Sequence, residues 1–267
     1  MIPLKIINFN HMNSLSLFNL RGKTALITGS GRGIGFTLAE GLAGAGAKII
    51  LNGRNEKKLE DAEKILRKQG VEVTKLCFDV TDSSSVKHAI SNYENDLGQI
   101  DILINNAGIN FRGPFENFEE EQWKIILDTN INGAMIVSQA VAPFMIDREE
   151  GKIINICSMQ SELGRPGIVP YAVSKGGVKM LTRALCTEWA KYNIQVNGIG
   201  PGYFETDLTK KLKEDPEFDA WICSRTPANR WGDTKELIGS AVFLASGASD
   251  FVNGHILYVD GGILASI

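Results

Sequence analysis

Between positions 24 and 259 the chain alternates short apolar runs, rich in β-branched residues, with longer stretches of helical period. The runs fall at 24–28 (TALIT), 47–52 (AKIILN), 71–78, 100–104, 152–157 (KIINIC), 194–199 and 256–259. Helical patterns fill 33–45, 56–69, 83–97, a long stretch within 119–146, 171–191 and much of 206–246. Continuous apolar strands separated by helices describe a parallel sheet covered on both faces. Seven such strands without a linker or repeat predict one α/β domain with a doubly wound seven-stranded parallel sheet over 17–267. The 28 glycines against 8 prolines suit many tight strand-to-helix turns. Residues 1–16 are set apart as an N-terminal extension expected to lack order. They begin MIPLKIINFNH, whose short interrupted apolar stretch makes a poor signal peptide, and a second Met at Met12 leads directly into the fold.

Several partner classes are disfavoured. A net charge of -3 provides no basic surface for nucleic acid or an anionic membrane. No apolar run approaches the roughly 20 residues that span a bilayer. The four cysteines show no C-x-x-C, and the three histidines do not cluster with them or with carboxylates at ligand spacing. Reduced thiols, a cytoplasmic location and no metal are therefore expected.

The first strand runs into T-G-S-G-R-G-I-G, Thr28 to Gly35. Gly29, Gly33 and Gly35, with Ile34 between the last two, let backbone turn tightly and approach a pyrophosphate at a helix N-terminus. The second strand ends in Gly53 and Arg54, where an NAD-selective site usually carries an acid. Glycine there spares a 2′-phosphate a repulsion, and Arg54, with Arg32 as a second cation, can pair with it. NADP(H) is therefore favoured over NAD(H); solvated surface arginines are the competing reading. Asp79, followed by Val80, is placed to meet the adenine amino group, while Thr81 and Asp82 suit a helix N-cap. Asn106, Ala107 and Gly108 follow the fourth strand, where backbone lies close to the adenosine side.

Tyr171 and Lys175 stand at i and i+4 on a predicted helix, hence on one face. Tyrosine, with a reference pKa of about 10, is a poor acid-base group near neutrality. A neighbouring ammonium lowers it, which explains the spacing.

Taken in order, T-G-x-x-x-G-x-G at 28–35, D-V at 79–80, N-N-A-G at 105–108, Asn130, Ser158, Y-x-x-x-K at 171–175, and P-G at 201–202 with Thr206 resemble the short-chain dehydrogenase/reductase family from about residue 18 onward. The resemblance implies a Rossmann-type fold. It implies that Ser158 holds a substrate carbonyl, that Asn130 anchors a water linking Lys175 to solvent, and that Pro201, Gly202 and Thr206 hold the nicotinamide carboxamide; an N-cap role competes for Thr206. It also implies a homotetramer built on helices near 119–146 and 171–191. The strings ICSMQSELGR, NGIGPGYF, RTPANRWG and DFVNGHILYVDGG resemble the gluconate 5-dehydrogenase branch, which implies interconversion of D-gluconate and 5-keto-D-gluconate.

A small-molecule sugar acid calls for a cation at its carboxylate. Arg112 and Arg165 are the candidates, with surface or intersubunit roles as alternatives. Gln160 and Glu162 are candidates for its hydroxyls, and Tyr203 for closure over it within the irregular stretch 203–230. The alternative enzyme is a 3-oxoacyl-acyl-carrier-protein reductase, for which Lys210, Lys211 and Lys213 offer only a short basic patch. A non-enzymatic nucleotide sensor on this fold would lack Ser158, Tyr171 or Lys175, and all three are present.

Overall fold

The computed structural model describes residues 13–266. Strands β1 (Thr24–Ile27), β2 (Lys48–Gly53), β3 (Val73–Cys77), β4 (Ile102–Asn105), β5 (Gly151–Ile156), β6 (Ile194–Pro201) and β7 (Ile256–Val259) form one parallel sheet in the order β3-β2-β1-β4-β5-β6-β7. The chain winds outward from β1 in one direction and from β4 in the other. The two crossovers diverge there and leave a crevice at the C-terminal ends of these central strands, where doubly wound sheets bind ligands.

Alternate residues of each strand serve two cores. Ala25, Ile27, Ile49, Leu51, Ile102 and Ile104 face one side. There they meet α1 (Gly33–Gly44) through Leu38 and Leu42, and α2 (Glu56–Lys68) through Leu59 and Leu66. Leu26, Ile50, Leu103 and Ile153 face the other side, against Val86 and Ile90 of α3 (Ser83–Asp96). Burial on both faces is why the strands read as unbroken apolar runs. Each fully buried Leu or Ile contributes about 1.5–3 kcal/mol, so a charge at Leu26 or Ile50 would undo the sheet locally. The caps are local: Asn55 accepts the Lys58 N–H to start α2, and Asp82 accepts those of Ser84 and Ser85 to start α3.

The long helix expected within 119–146 is two helices, α4 (Glu120–Leu127) and α5 (Gly133–Arg148), joined by a π turn at Asp128–Asn132. By length and composition alone the run 120–148 could cross a membrane, which qualifies the sequence expectation; half of its most apolar window is buried inside the protein. Val137, Val141 and Met145 supply that burial in the second core. Beyond these come α6 (Val169–Trp189), the short α7 (Lys210–Lys213), α8 (Pro216–Arg225) and α9 (Ile238–Ala245). Residues 1–12 of the N-terminal extension lie outside the described residues. Its last four, 13–16, enter a 3-10 turn, Ser14–Phe18, capped by Asn13, and Phe18 lies 6.4 Å from the Phe243 ring of α9.

Candidate active site

The glycine turn and the loop after β4 are bound into one surface. The Thr28 hydroxyl accepts the N–H groups of Asn106 and Ala107, both at 3.0 Å. The Asn106 amide donates back to the carbonyls of Thr28 at 2.9 Å and Gly29 at 3.2 Å. Asn106 therefore acts as a clamp between loops, with its side-chain donors already spent. Gly29 has φ 64°, and a Cβ on it would sit 3.0 Å from Ala107 Cα. A Cβ on Gly35 would sit 2.7 Å from the Gly29 carbonyl oxygen. Only glycine permits this approach. Arg32, the N-cap of α1, makes no side-chain cap, so the first-turn N–H groups remain available to an anion.

This surface is one wall of a cleft of about 370 Å³, lined by Gly29, Arg32 to Gly35, Arg54, Asp79, Val80, Asn106 to Gly108, Ser158, Tyr171, Lys175, Pro201, Gly202 and Thr206. The size and backbone lining fit a dinucleotide. The cleft also gathers Asn52, Ile109, Asp207, Leu208 and Thr209, for which sequence spacing gave no signal. Asn52 is buried and its amide donates to the carbonyls of Leu76 and Phe78, fastening β2 to β3 below Arg54.

Both arginines expected to wait for a 2′-phosphate already have carboxylate partners. Arg54 pairs with Asp79 at 3.2 Å, and Arg32 pairs across the cleft mouth with Asp207 at 2.9 Å. Burial pushes the Asp79 carboxyl up, but the Thr81 N–H and hydroxyl and the Arg54 guanidinium outweigh it and hold the pKa below the usual range. Such exposed pairs are worth only about 0–1 kcal/mol, so a phosphate making charge-assisted bonds can displace them. The Thr206 hydroxyl is 3.1 Å from that of Thr209, whose own hydroxyl donates to the Phe204 carbonyl at 2.6 Å.

Ser158 ends the segment after β5, and α6 places Tyr171 and Lys175 one turn apart opposite it. Burial pushes the Tyr171 phenol up to about 12, and the Ser158 hydroxyl acts against this. The cation expected to act on that phenol is Lys175. Its ammonium lies 5.7 Å from the Tyr171 ring centroid and donates to the Ile156 carbonyl at 2.6 Å. Burial pulls Lys175 itself down to about 8.

Asn130, expected to anchor a water, has both side-chain donors engaged. Its amide donates to the Ile109 carbonyl at 3.0 Å and the Ser174 hydroxyl at 2.9 Å, and its oxygen accepts the Ile109 N–H at 2.8 Å. The π turn aims Asn130 inward and ties the loop after β4 to α6; π turns often sit at functional sites.

Of the substrate candidates only Ser158 lines this cleft; Arg112, Arg165 and Tyr203 lie beyond that lining, near Tyr171. A Gly113 N–H bond to the Gly167 carbonyl at 3.1 Å brings the loops of Arg112 and Arg165 together. The Arg165 guanidinium lies 5.1 Å over the Phe218 ring, and Tyr203 meets Phe218 and Trp231 edge-on at 5.7 and 5.5 Å. Burial, then the charge of Arg165, pulls Arg112 below the usual guanidinium range, while Tyr203 and Tyr171 act the other way. Two cations therefore face each other beside Tyr171 with no carboxylate partner among the described residues. Gln160 is buried and its side-chain oxygen has no partner there, so it can accept a substrate hydroxyl. Glu162, also expected to meet a hydroxyl, instead binds Lys179 at 2.6 Å and accepts the Tyr258 hydroxyl at 2.7 Å.

Over residues 29–264 the sequence matches the family model described as Enoyl-(Acyl carrier protein) reductase. It is 55% identical over 251 residues to the 5-keto-D-gluconate 5-reductase of Escherichia coli, covering 94% of this chain and 99% of the relative. It is 52% identical to the gluconate 5-dehydrogenase of Gluconobacter oxydans, covering 96% of this chain and 100% of the relative. The crystal structure of a gluconate 5-dehydrogenase from Burkholderia cenocepacia, in complex with NADP and tartrate, superposes with a TM-score of 0.93 at 53% identity, over 95% of this chain and 99% of that one.

Proposed function

The chain belongs to the short-chain dehydrogenase/reductase family, and from that premise we propose that it reversibly interconverts D-gluconate and 5-keto-D-gluconate using NADP(H). The observation that carries the reaction type is the convergence of Ser158, Tyr171 and Lys175 on a cleft whose other wall is glycine backbone. NADPH supplies the hydride when bound. Gly29, Gly33, Gly35 and the start of α1 hold its pyrophosphate, Arg54 and Arg32 its 2′-phosphate, Asp79 and Val80 its adenine side, Ala107 and Gly108 its ribose side, and Pro201, Gly202 and Thr206 its nicotinamide end.

Ser158 donates a hydrogen bond to the substrate ketone oxygen. Tyr171, a neutral phenol at pH 7 whose pKa burial raises further, delivers a proton as the alkoxide develops. Lys175 adds positive charge beside the phenol and so favours its ionisation on the return path. Asn130 positions Ile109 and Ser174 around them. Arg112 and Arg165 hold the carboxylate, Gln160 meets a hydroxyl, and Tyr203 covers the sugar chain. The relatives at 52–55% identity support this substrate.

A second reading, an acyl-carrier-protein-linked reductase, follows from the description of the matching family model. It wants a basic docking patch, and here Lys213 pairs with Glu205 while Lys210 lies 3.9 Å from Glu214. Steady-state reduction of 5-keto-D-gluconate against an acetoacetyl thioester, with NADPH and then NADH, decides between them. Turnover of the thioester alone would retire the sugar-acid reading.

We also propose a homotetramer. Met135 on α5 and Val173 and Met180 on α6 expose apolar side chains that a partner helix pair could cover, and sedimentation as a four-chain species checks it. The reading goes with a cytoplasmic location, in keeping with four unpaired thiols among the described residues.

A further inference from the structure

Ser161 takes no part in the chemistry above, yet its hydroxyl touches the backbone of two of the three proposed catalytic residues. It accepts the Ser158 N–H at 3.3 Å and donates to the Lys175 carbonyl at 2.8 Å. The Ser158 hydroxyl accepts the Gln160 N–H at 3.1 Å, and the two serines form a reciprocal capping box around the 3-10 turn Met159–Ser161. The third position of such a box is usually Glu or Gln, which reaches back to accept the N-cap N–H. A carboxylate can only accept, whereas a hydroxyl also donates. That second bond is the one that reaches α6. The next residue reinforces it: Glu162 binds Lys179, one helical turn beyond Lys175, at 2.6 Å, and accepts the Tyr258 hydroxyl of β7 at 2.7 Å.

We propose that Ser161 is a positioning residue whose bridging hydroxyl holds Ser158 in register with Tyr171 and Lys175. This rests on the reading that those three residues carry the reaction. Each bond of this kind adds only modest net stability. A displacement of a reacting group by about 1 Å can cost about a hundredfold in rate. Loss of the Ser161 hydroxyl should therefore register in turnover far more than in folding.

The test compares Ser161→Ala, Ser161→Glu and Ser161→Thr with Ser158→Ala in the full-length protein. It measures kcat in both directions, NADPH binding by fluorescence titration, and the pH profile of gluconate oxidation. The Ala and Glu variants should lose about tenfold or more in kcat while binding NADPH normally, and Thr should recover most of the rate. In Ser161→Ala the acidic limb of the oxidation profile should move to higher pH, because a displaced Ser158 no longer lowers the Tyr171 pKa. A role in folding alone would scale the rate at every pH and leave the limb in place. An Ala variant with wild-type kcat, an unshifted limb, or a folded Thr variant that fails to recover the rate would each overturn the proposal. Unchanged turnover in Ser158→Ala would instead remove the catalytic reading beneath it, and this proposal with it.

Discussion

The wall of the cleft formed by β1, β2 and β4 is backbone, whereas the wall formed by β5, α6 and residues 203–231 is side chain. In the first wall, Thr28, Gly29, Gly35 and Asn106 lock two loops together through main-chain groups. Neutral donors and a helix N-terminus are left facing the cleft, with cations confined to its rim at Arg32 and Arg54. In the second wall Ser158, Tyr171 and Lys175 act through functional groups, and burial shifts the pKa values of Tyr171 and Lys175. Beyond them Arg165 stacks on Phe218 beside Tyr203 and Arg112 lies near, neither with a carboxylate partner among the described residues. The first wall suits a ligand of fixed shape; the second suits one recognised by charge and changed by proton transfer. Binding of the cofactor and selection of the substrate should therefore be separable by mutation.

The largest effect on the first wall is expected from Gly35→Ala. The added methyl would press on the Gly29 carbonyl, 2.7 Å away, and on the Asn106 amide. At the upper end of overpacking penalties, about 3 kcal/mol, NADPH affinity should fall about a hundredfold in a fluorescence titration. If Gly35→Ala instead raised KM for the keto acid and spared NADPH, the division into two walls would be wrong.

Arg112→Ala should do the reverse. Losing a charge-assisted bond to a carboxylate costs about 1.5–3 kcal/mol, so KM for 5-keto-D-gluconate should rise roughly tenfold to a hundredfold. NADPH binding should stay as in wild type. A neutral ketose assayed in parallel sharpens the comparison, because its KM should not respond.

A smaller effect concerns the buried cation. Burial pulls Lys175 from 10.5 to about 8, so the folded state binds this proton less well than the unfolded chain does. That penalty is fully present below pH 8 and is relieved as pH rises towards 10.5. Its ceiling is roughly 3 kcal/mol, offset in part because replacement would orphan the Ile156 carbonyl. Lys175→Met, inactive as it would be, should melt a few degrees above wild type at pH 7, with the gain shrinking towards pH 10. A gain that grew with pH would contradict the sign of this shift.

What the sequence disclosed follows the same division. Strand periodicity, the glycine turn and the Tyr171–Lys175 spacing are local properties, and the structure places them as expected. Relations between distant segments were not legible. Arg54 and Asp79, and Arg32 and Asp207, meet only after the sheet closes, so their ion pairs have no sequence signature. The π turn that aims Asn130 at Ile109 and Ser174 looks like continuous helix in periodicity, because one extra residue barely disturbs a 3.6-residue pattern. Glu162 read as a substrate contact because it follows Ser158 closely, but Lys179 and Tyr258 arrive from α6 and β7 to occupy it.

The two walls meet at Tyr171, whose phenol moves the proton in the proposed reaction. The most direct test is single-turnover reduction of 5-keto-D-gluconate by wild type and Tyr171→Phe, with NADPH binding measured on the same samples. NADPH affinity should be unchanged, and the reduction step should slow by about 10²–10⁴. Reduction by Tyr171→Phe within a few-fold of wild type would contradict that role.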